Sequence, residues 1–175
     1  MPRRLLPDRA FPPYSFIGRG HGFPHPRNEP GGHARDLPEP EAEPLDLEAP
    51  HQCVEHLWGI DLFHHGYYWE AHEAWESVWF ACGRRGDAAE LLRGLILLAA
   101  AGVKARQGRP SGVRRLALGA RRRFETLLAT RRRAGGLDLE HLARFASRIA
   151  ENADSLEAFP NAKVAVVFDE ILGEP

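Results

Sequence analysis

Proline decides where this chain can be helical. Eleven of its fourteen prolines fall between Pro2 and Pro50, and only Pro110, Pro160 and Pro175 follow. Proline removes a backbone donor and clashes with the preceding turn, so residues 1–50 cannot sustain a long helix, whereas the chain beyond them can. The proline-rich part is not composed like a disordered tail. Phe11, Tyr14, Phe16, Ile17 and Phe23 are apolar anchors that such a tail would not need. Residues 10–35 therefore read as an extended arm packed on the rest of the protein. Residues 36–50, DLPEPEAEPLDLEAP, read as a solvated acidic linker.

From residue 51 helical periodicity takes over. A first helix is expected over 52–65, stopped at Gly66, and a second over 67–82, stopped at Gly83. Asp87 is a fair N-cap for a third helix over 88–107. That segment, LLRGLILLAAAGVKARQ, is apolar on nearly all sides, so it should be the central helix, with Gly94 and Gly102 allowing close approach. A fourth helix runs from Pro110 to about Arg133 and is broken by Gly135-Gly136; a fifth is capped by Asp138 and runs to about Ala158. The tail AKVAVVFDEIL is compatible with a strand or with a last helical turn. Short loops between long helices imply antiparallel neighbours, so the fold class is all-α: an up-and-down bundle of about five helices with a proline-rich arm. The expected organisation is arm and linker over 1–50 and a helical domain over 51–175.

At 175 residues and 43% hydrophobic content the chain can bury one core. No stretch approaches the ~20 apolar residues of a membrane span, and the N-terminus has no apolar run of signal length. Cys53 and Cys82 make no CxxC pair, which fits a reducing compartment. A cytoplasmic protein with no membrane partner is the expectation.

Residues 67–80, YYWEAHEAWESVWF, concentrate the chemistry. On a helical wheel Tyr68, Ala71, Trp75, Trp79 and Cys82 share the core face, His72 sits at its edge, and Glu76 lies one turn beyond it. Glu73 is close enough to join them, while Glu70 points away. The third helix offers Arg93, Leu97, Ala100 and Lys104 as one stripe. Antiparallel packing of the two helices would bring Arg93 level with Glu76, and so would place a polar band between the second and third helices.

The run GIDLFHHGYYWEAHEAWESVWF followed by LLRGLILLAAAGVKARQG resembles the helical family called domain of unknown function 309, over about residues 55–125. That family carries a G-x-x-x-E-A-H-E-x-x-E core and a following L-x-G-L-I-x-x-A-A-A helix. The arm PPYSFIGRGHGFPHPRNEPGGHA looks like an extension found in a subset of it. The resemblance implies an all-helical fold and a metal-dependent hydrolase. Where many members have histidine, this chain has Lys104, a poor metal ligand at neutral pH.

His72 and Glu76 have the i,i+4 spacing by which a helix offers two ligands to one ion. A catalytic divalent metal (zinc, manganese or iron) needs a third, for which His25 and His33 of the arm, His21 less so, and Glu73 are the candidates. Water activated by the ion would be the nucleophile, Glu73 or Glu76 the general base, and Arg93 and Lys104 the anchors of a small anionic substrate. HEAWE is not the HExxH of zinc peptidases. The alternative is a non-catalytic binding or assembly module. In it His72 packs at the core edge while Glu73 and Glu76 bridge to Lys104 and Arg93. A third possibility is a metal-free pocket for an anionic small molecule.

Residues 104–133 carry eleven bases against Glu125 alone. A basic helix face can bind phosphates, but no aromatic or base-reading motif is interleaved, which argues against nucleic acid. A homodimer through a helix face is compatible with the pattern.

Overall fold

A computed structural model describes residues 2–38 and 41–172. Five helices follow one another: α1 (Val54–His64), α2 (Tyr68–Ala81), α3 (Gly86–Arg106), α4 (Pro110–Leu128) and α5 (Leu139–Glu151). Each packs chiefly on the next, the up-and-down order that short loops dictate. Glycines in the left-handed region end three of the connections, Gly66 at φ 83°, Gly83 at φ 66° and Gly108 at φ 65°.

The third helix is the central one, as its sequence requires: Leu91, Leu92, Leu95, Leu98, Ala99 and Ala101 are fully buried. Its two interior glycines are close-approach points. A Cβ on Gly102 would lie 2.5 Å from the Tyr68 ring, and one on Gly94 would lie 2.3 Å from Phe124. Tyr68 therefore sits directly on the α3 backbone and closes the α2–α3 seam.

Two helices are shorter than their periodicity suggests. α4 stops at Leu128, where the amides of Thr130 and Arg131 both donate to Leu127 O. The chain then makes a hairpin of β1 (Arg133–Ala134) and β2 (Leu137–Asp138), turned by Gly135 and Gly136 at φ 57° and 80°. Asp138 caps α5 by accepting the His141 amide at 2.9 Å. α5 ends at Glu151, and a short 3-10 turn follows at Ala153–Ser155. Asp87 is not an N-cap. It lies inside the first turn of α3 behind Arg85, whose side chain makes no cap bond, and it pairs with Arg131 at 2.9 Å.

The tail is neither strand nor helix up to Leu172. It is held by single anchors: the amides of Val167 and Phe168 donate to the Tyr68 hydroxyl, and the Phe168 ring packs among Phe63, Tyr68 and Phe145.

The arm is packed, and more of it than its aromatic residues suggest. Tyr14, Phe16 and Ile17 are buried. Phe11 stacks on Trp58 and Tyr67. Upstream, the amides of Leu5 and Leu6 donate to the two carboxylate oxygens of Asp61, both at 2.8 Å. The acidic linker is not simply solvated. Leu45 is buried and its amide contacts Cys82 Sγ, Leu47 O accepts the Gly135 amide, and Glu48 pairs with Arg131. The alternating leucines pull the strand of acids onto the core.

The basic face of α4 is largely matched by acids: Arg114 with Asp154, Arg121 with Glu125, and Arg123 with Glu90. Among the described residues no helix is long and apolar enough to cross a membrane.

Candidate functional site

Helix α2 has two polar faces with different fates. Tyr68, Ala71, Ala74, Trp75 and Val78 fill its buried stripe, so the core face runs to Val78, and Trp79 is only partly covered. One edge carries His72, Glu73 and Glu76. One ligand atom from each can be chosen so that all lie within 4.8 Å of one another. His72 Nδ1 stands 3.8 Å from Glu73 Oε1, too far for a hydrogen bond, and it is buried without a hydrogen-bond partner among the described residues. The imidazole lies parallel to the Trp69 ring at 6.0 Å.

The other polar edge of α2 carries Glu70, which the helical wheel alone turns away from any site. The arm crosses there. Glu70 is 8% exposed; its Oε1 accepts the Phe16 amide at 2.9 Å and lies 3.3 Å from His33 Nε2. Its Oε2 is buried without a hydrogen-bond partner. Arg106, fully buried, donates to Ser15 O and Ala162 O, and burial pulls its pKa down while the Glu70 charge pushes it up.

Between the arm, α1 and α2 lies a cleft of about 280 Å³. Trp58 and Trp69 wall it, Arg9 and Arg27 stand over it, and His25, His33, Glu70 and Glu73 line it. Glu73 thus belongs both to the His72–Glu76 cluster and to the cleft. Arg9 is held by Glu55 at 2.7 Å and lies over the Trp58 ring.

The sequence of the arm explains how its histidines arrive. In PHPRNEPGGH the chain folds back on itself, and Ala34 N donates to Pro26 O at 3.0 Å. A Cβ on Gly32 would meet Pro26 O at 2.3 Å and His25 O at 2.4 Å, so only glycine permits that approach. His33 N donates to the Tyr14 hydroxyl at 3.3 Å, and that hydroxyl donates to Pro24 O at 2.9 Å.

The expected ligands and anchors are not all brought together. His72, Glu73 and Glu76 converge; His25 and His33 do not join them. His33 is held by Glu70, and His25 Nδ1 accepts the amides of Arg27 and Asn28, both at 3.2 Å. Arg93 and Lys104 lie outside the cleft. Arg93 is exposed and stacks over Trp79 at 5.5 Å. Lys104 donates to Gln107 Oε1, with its stem against Gly112 of α4; burial, then Arg109 and Arg115, lower its pKa. The stripe they form is real, but its two charges part: Arg93 lies over Trp79 of α2, while the Lys104 stem turns toward Gly112 of α4. Among the described residues neither Glu73–Lys104 nor Glu76–Arg93 forms an ion pair, the bridges that would have favoured a purely structural role.

Residues 51–116 match the family described as Domain of unknown function (DUF309). The DUF309 segment spans α1, α2 and α3 with the first turns of α4, so it holds Glu70, His72, Glu73 and Glu76. His25 and His33 lie outside it. No curated protein matches the chain.

Proposed function

We propose that the chain is a metal-dependent hydrolase in which His72, Glu73 and Glu76 hold a divalent ion and the adjoining cleft takes a small substrate. One observation carries this reading. A buried imidazole nitrogen, His72 Nδ1, is left without a hydrogen-bond partner beside two carboxylates, an arrangement that is costly unless something electropositive completes it. The donor set of one imidazole and two carboxylates suits zinc, manganese or iron. Three protein ligands leave coordination positions open for chemistry.

When bound, such an ion supplies Lewis acidity and an activated water. The chain's own groups do the rest. Trp58 and Trp69 present flat apolar walls, and Arg27 offers charge to an anionic group. Glu73 reaches from the cluster into the cleft. A volume of about 280 Å³ suits a small molecule rather than a polymer segment. Cys53 and Cys82 are unpaired, and a reducing, cytoplasmic setting follows from that as part of the same proposal.

Elemental analysis of tag-free protein beside His72→Ala tests it. The expected result is about one zinc, manganese or iron per chain in the wild type and none in the variant. No metal in either, even after incubation with divalent ions, sinks the reading.

A further inference from the structure

The cleft holds a histidine–carboxylate pair that a metal on α2 does not use. His33 and Glu70 are 10% and 8% exposed, and their facing atoms, Nε2 and Oε1, are 3.3 Å apart. A carboxylate in that place fixes the proton on Nε2, which leaves Nδ1 as the free lone pair. Nδ1 makes no hydrogen bond among the described residues and is not sealed from solvent, and the ring lines the cleft. Three contacts hold the imidazole in place: its amide on the Tyr14 hydroxyl, its ring edge-on to Tyr14 at 4.7 Å, and the Gly32 fold-back behind it. Glu70 is itself fixed by the Phe16 amide. An arm built only for packing would have no need to lay a histidine of the cleft lining against a buried carboxylate of α2.

We propose that His33, oriented by Glu70, is the proton-transfer group of this cleft. The reaction class, attack of water on an ester or phosphoester, rests on the hydrolase reading above. As the water oxygen bonds to the electrophilic carbon or phosphorus, its proton passes to His33 Nδ1. The imidazolium formed is held at Nε2 by the Glu70 carboxylate. As the bond to the leaving oxygen breaks, that oxygen takes the proton from Nδ1, and the imidazole is neutral again. No electron is gained or lost, and water is the sole co-reactant. His33 is the catalytic residue and Glu70 a positioning residue.

The test uses the full chain, chelator-treated, with 4-nitrophenyl acetate as the probe. The key variant is His33→Gln, whose side-chain amide can still donate to Glu70 but cannot accept a proton. A structural His33 would be replaced without loss. The proposal expects release of 4-nitrophenolate to fall at least about tenfold, since a general base contributes about 10²–10⁴-fold. His51→Gln, at an exposed histidine outside the cleft, should keep the wild-type rate. A wild-type rate no higher than that of His33→Gln overturns the proposal. A second measurement needs no variant to fold: long-range nitrogen–proton correlation spectra of the wild type at neutral pH. Protonated Nε2 with bare Nδ1 on His33 is expected, and the opposite tautomer overturns the proposal. The metal reading is decided separately, by the metal content of untreated protein beside His72→Ala, so the two failures are distinguishable.

Discussion

Asp61 Oδ2 accepts the Leu6 amide at 2.8 Å, at a carboxylate with no solvent exposure. The neighbouring Leu5 amide occupies Oδ1, and Arg4 approaches within 3.8 Å. The first few residues are thus bound to the first helix, α1, through a buried carboxylate. A buried carboxylate is costly to leave unpaired, so removing its partners should hurt the bundle itself.

Deletion of residues 2–35 should therefore destabilise α1 and α2. It strips the partners from Asp61 and Glu70 and uncovers Trp58 and Trp69. Asp61→Ala is the gentler version. It leaves two amides without their acceptor, at about 1–3 kcal/mol each if they stay buried. Limited proteolysis should then cut within the arm much faster than in the wild type, with a lower urea midpoint. Unchanged cutting and midpoint would mean the arm does not depend on Asp61.

Gly102→Ala should destabilise although alanine favours helix. The new methyl would sit 2.5 Å from the Tyr68 ring, and overpacking costs about 1–3 kcal/mol against a helix gain of about 1 kcal/mol. Because the Tyr68 hydroxyl accepts the Val167 and Phe168 amides, the tail should loosen with it. Faster hydrogen exchange at those two amides, together with a lower melting temperature, is the expected signature. A neutral or stabilised variant would show that the seam can open at no cost.

Much of the fold was legible in the sequence because glycine and proline punctuate it locally: α1, α2 and α3 end within a residue or two of where their stops predict. α4 and α5 overran because a Gly-Gly hairpin and a single 3-10 turn are weaker signals than a continuing apolar period. The site was legible only in part. His72, Glu73 and Glu76 share one helix, so their spacing alone brings them together. Glu70 and Asp61 take their meaning from an arm 37 to 56 residues upstream, and a helical wheel treats each helix as if nothing crossed it. Arg93 and Lys104 failed for a related reason: the stripe is set by the helix, but what each charge meets is set by how α3 packs between α2 and α4, Trp79 for Arg93 and Gly112 for Lys104. Glu70 did carry one usable signal, an acid between Trp69 and Ala71 in the first turn of an otherwise core-forming segment.

Two histidines, His56 buried and His64 half-buried, should make the protein acid-sensitive. His56 and His64 are both held down to about 4, chiefly by burial; His65 adds to the effect at His64, and Asp61 opposes it. His64 Nε2 accepts the Leu172 amide at 2.8 Å, and His56 Nε2 meets Gly135 O at 2.9 Å. In the unfolded chain each takes a proton near the ordinary value of about 6.5. Between there and about 4 the unfolded state binds more protons, so stability falls as pH falls. It is full above about 6.5 and lost progressively toward 4, by about 3 kcal/mol per histidine. His56→Gln keeps a donor for Gly135 O and removes one titration. Its urea midpoint should therefore fall less than the wild type's between pH 7 and pH 4.5. Parallel curves would show that His56 is not the cause.

Metal binding should be visible as stability before any substrate is known. An ion that completes the valence of His72 Nδ1 binds the folded helix and not the unfolded chain, because the i,i+1,i+4 spacing of His72, Glu73 and Glu76 converges only when α2 is formed. At a hundredfold excess over its dissociation constant it should stabilise by about 2.7 kcal/mol. Thermal melts of chelator-treated wild type with zinc, manganese or iron(II) added should rise by several degrees for at least one of them. His72→Ala should show no rise. Glu73→Gln and Glu76→Gln should need more metal for the same shift, since each keeps its volume but loses its charge. His25→Ala should rise with the wild type, because His25 Nδ1 is already committed to the backbone amides of Arg27 and Asn28. A shift that survives His72→Ala would move the ion off α2, and a shift lost in His25→Ala would bring the arm back as its ligand.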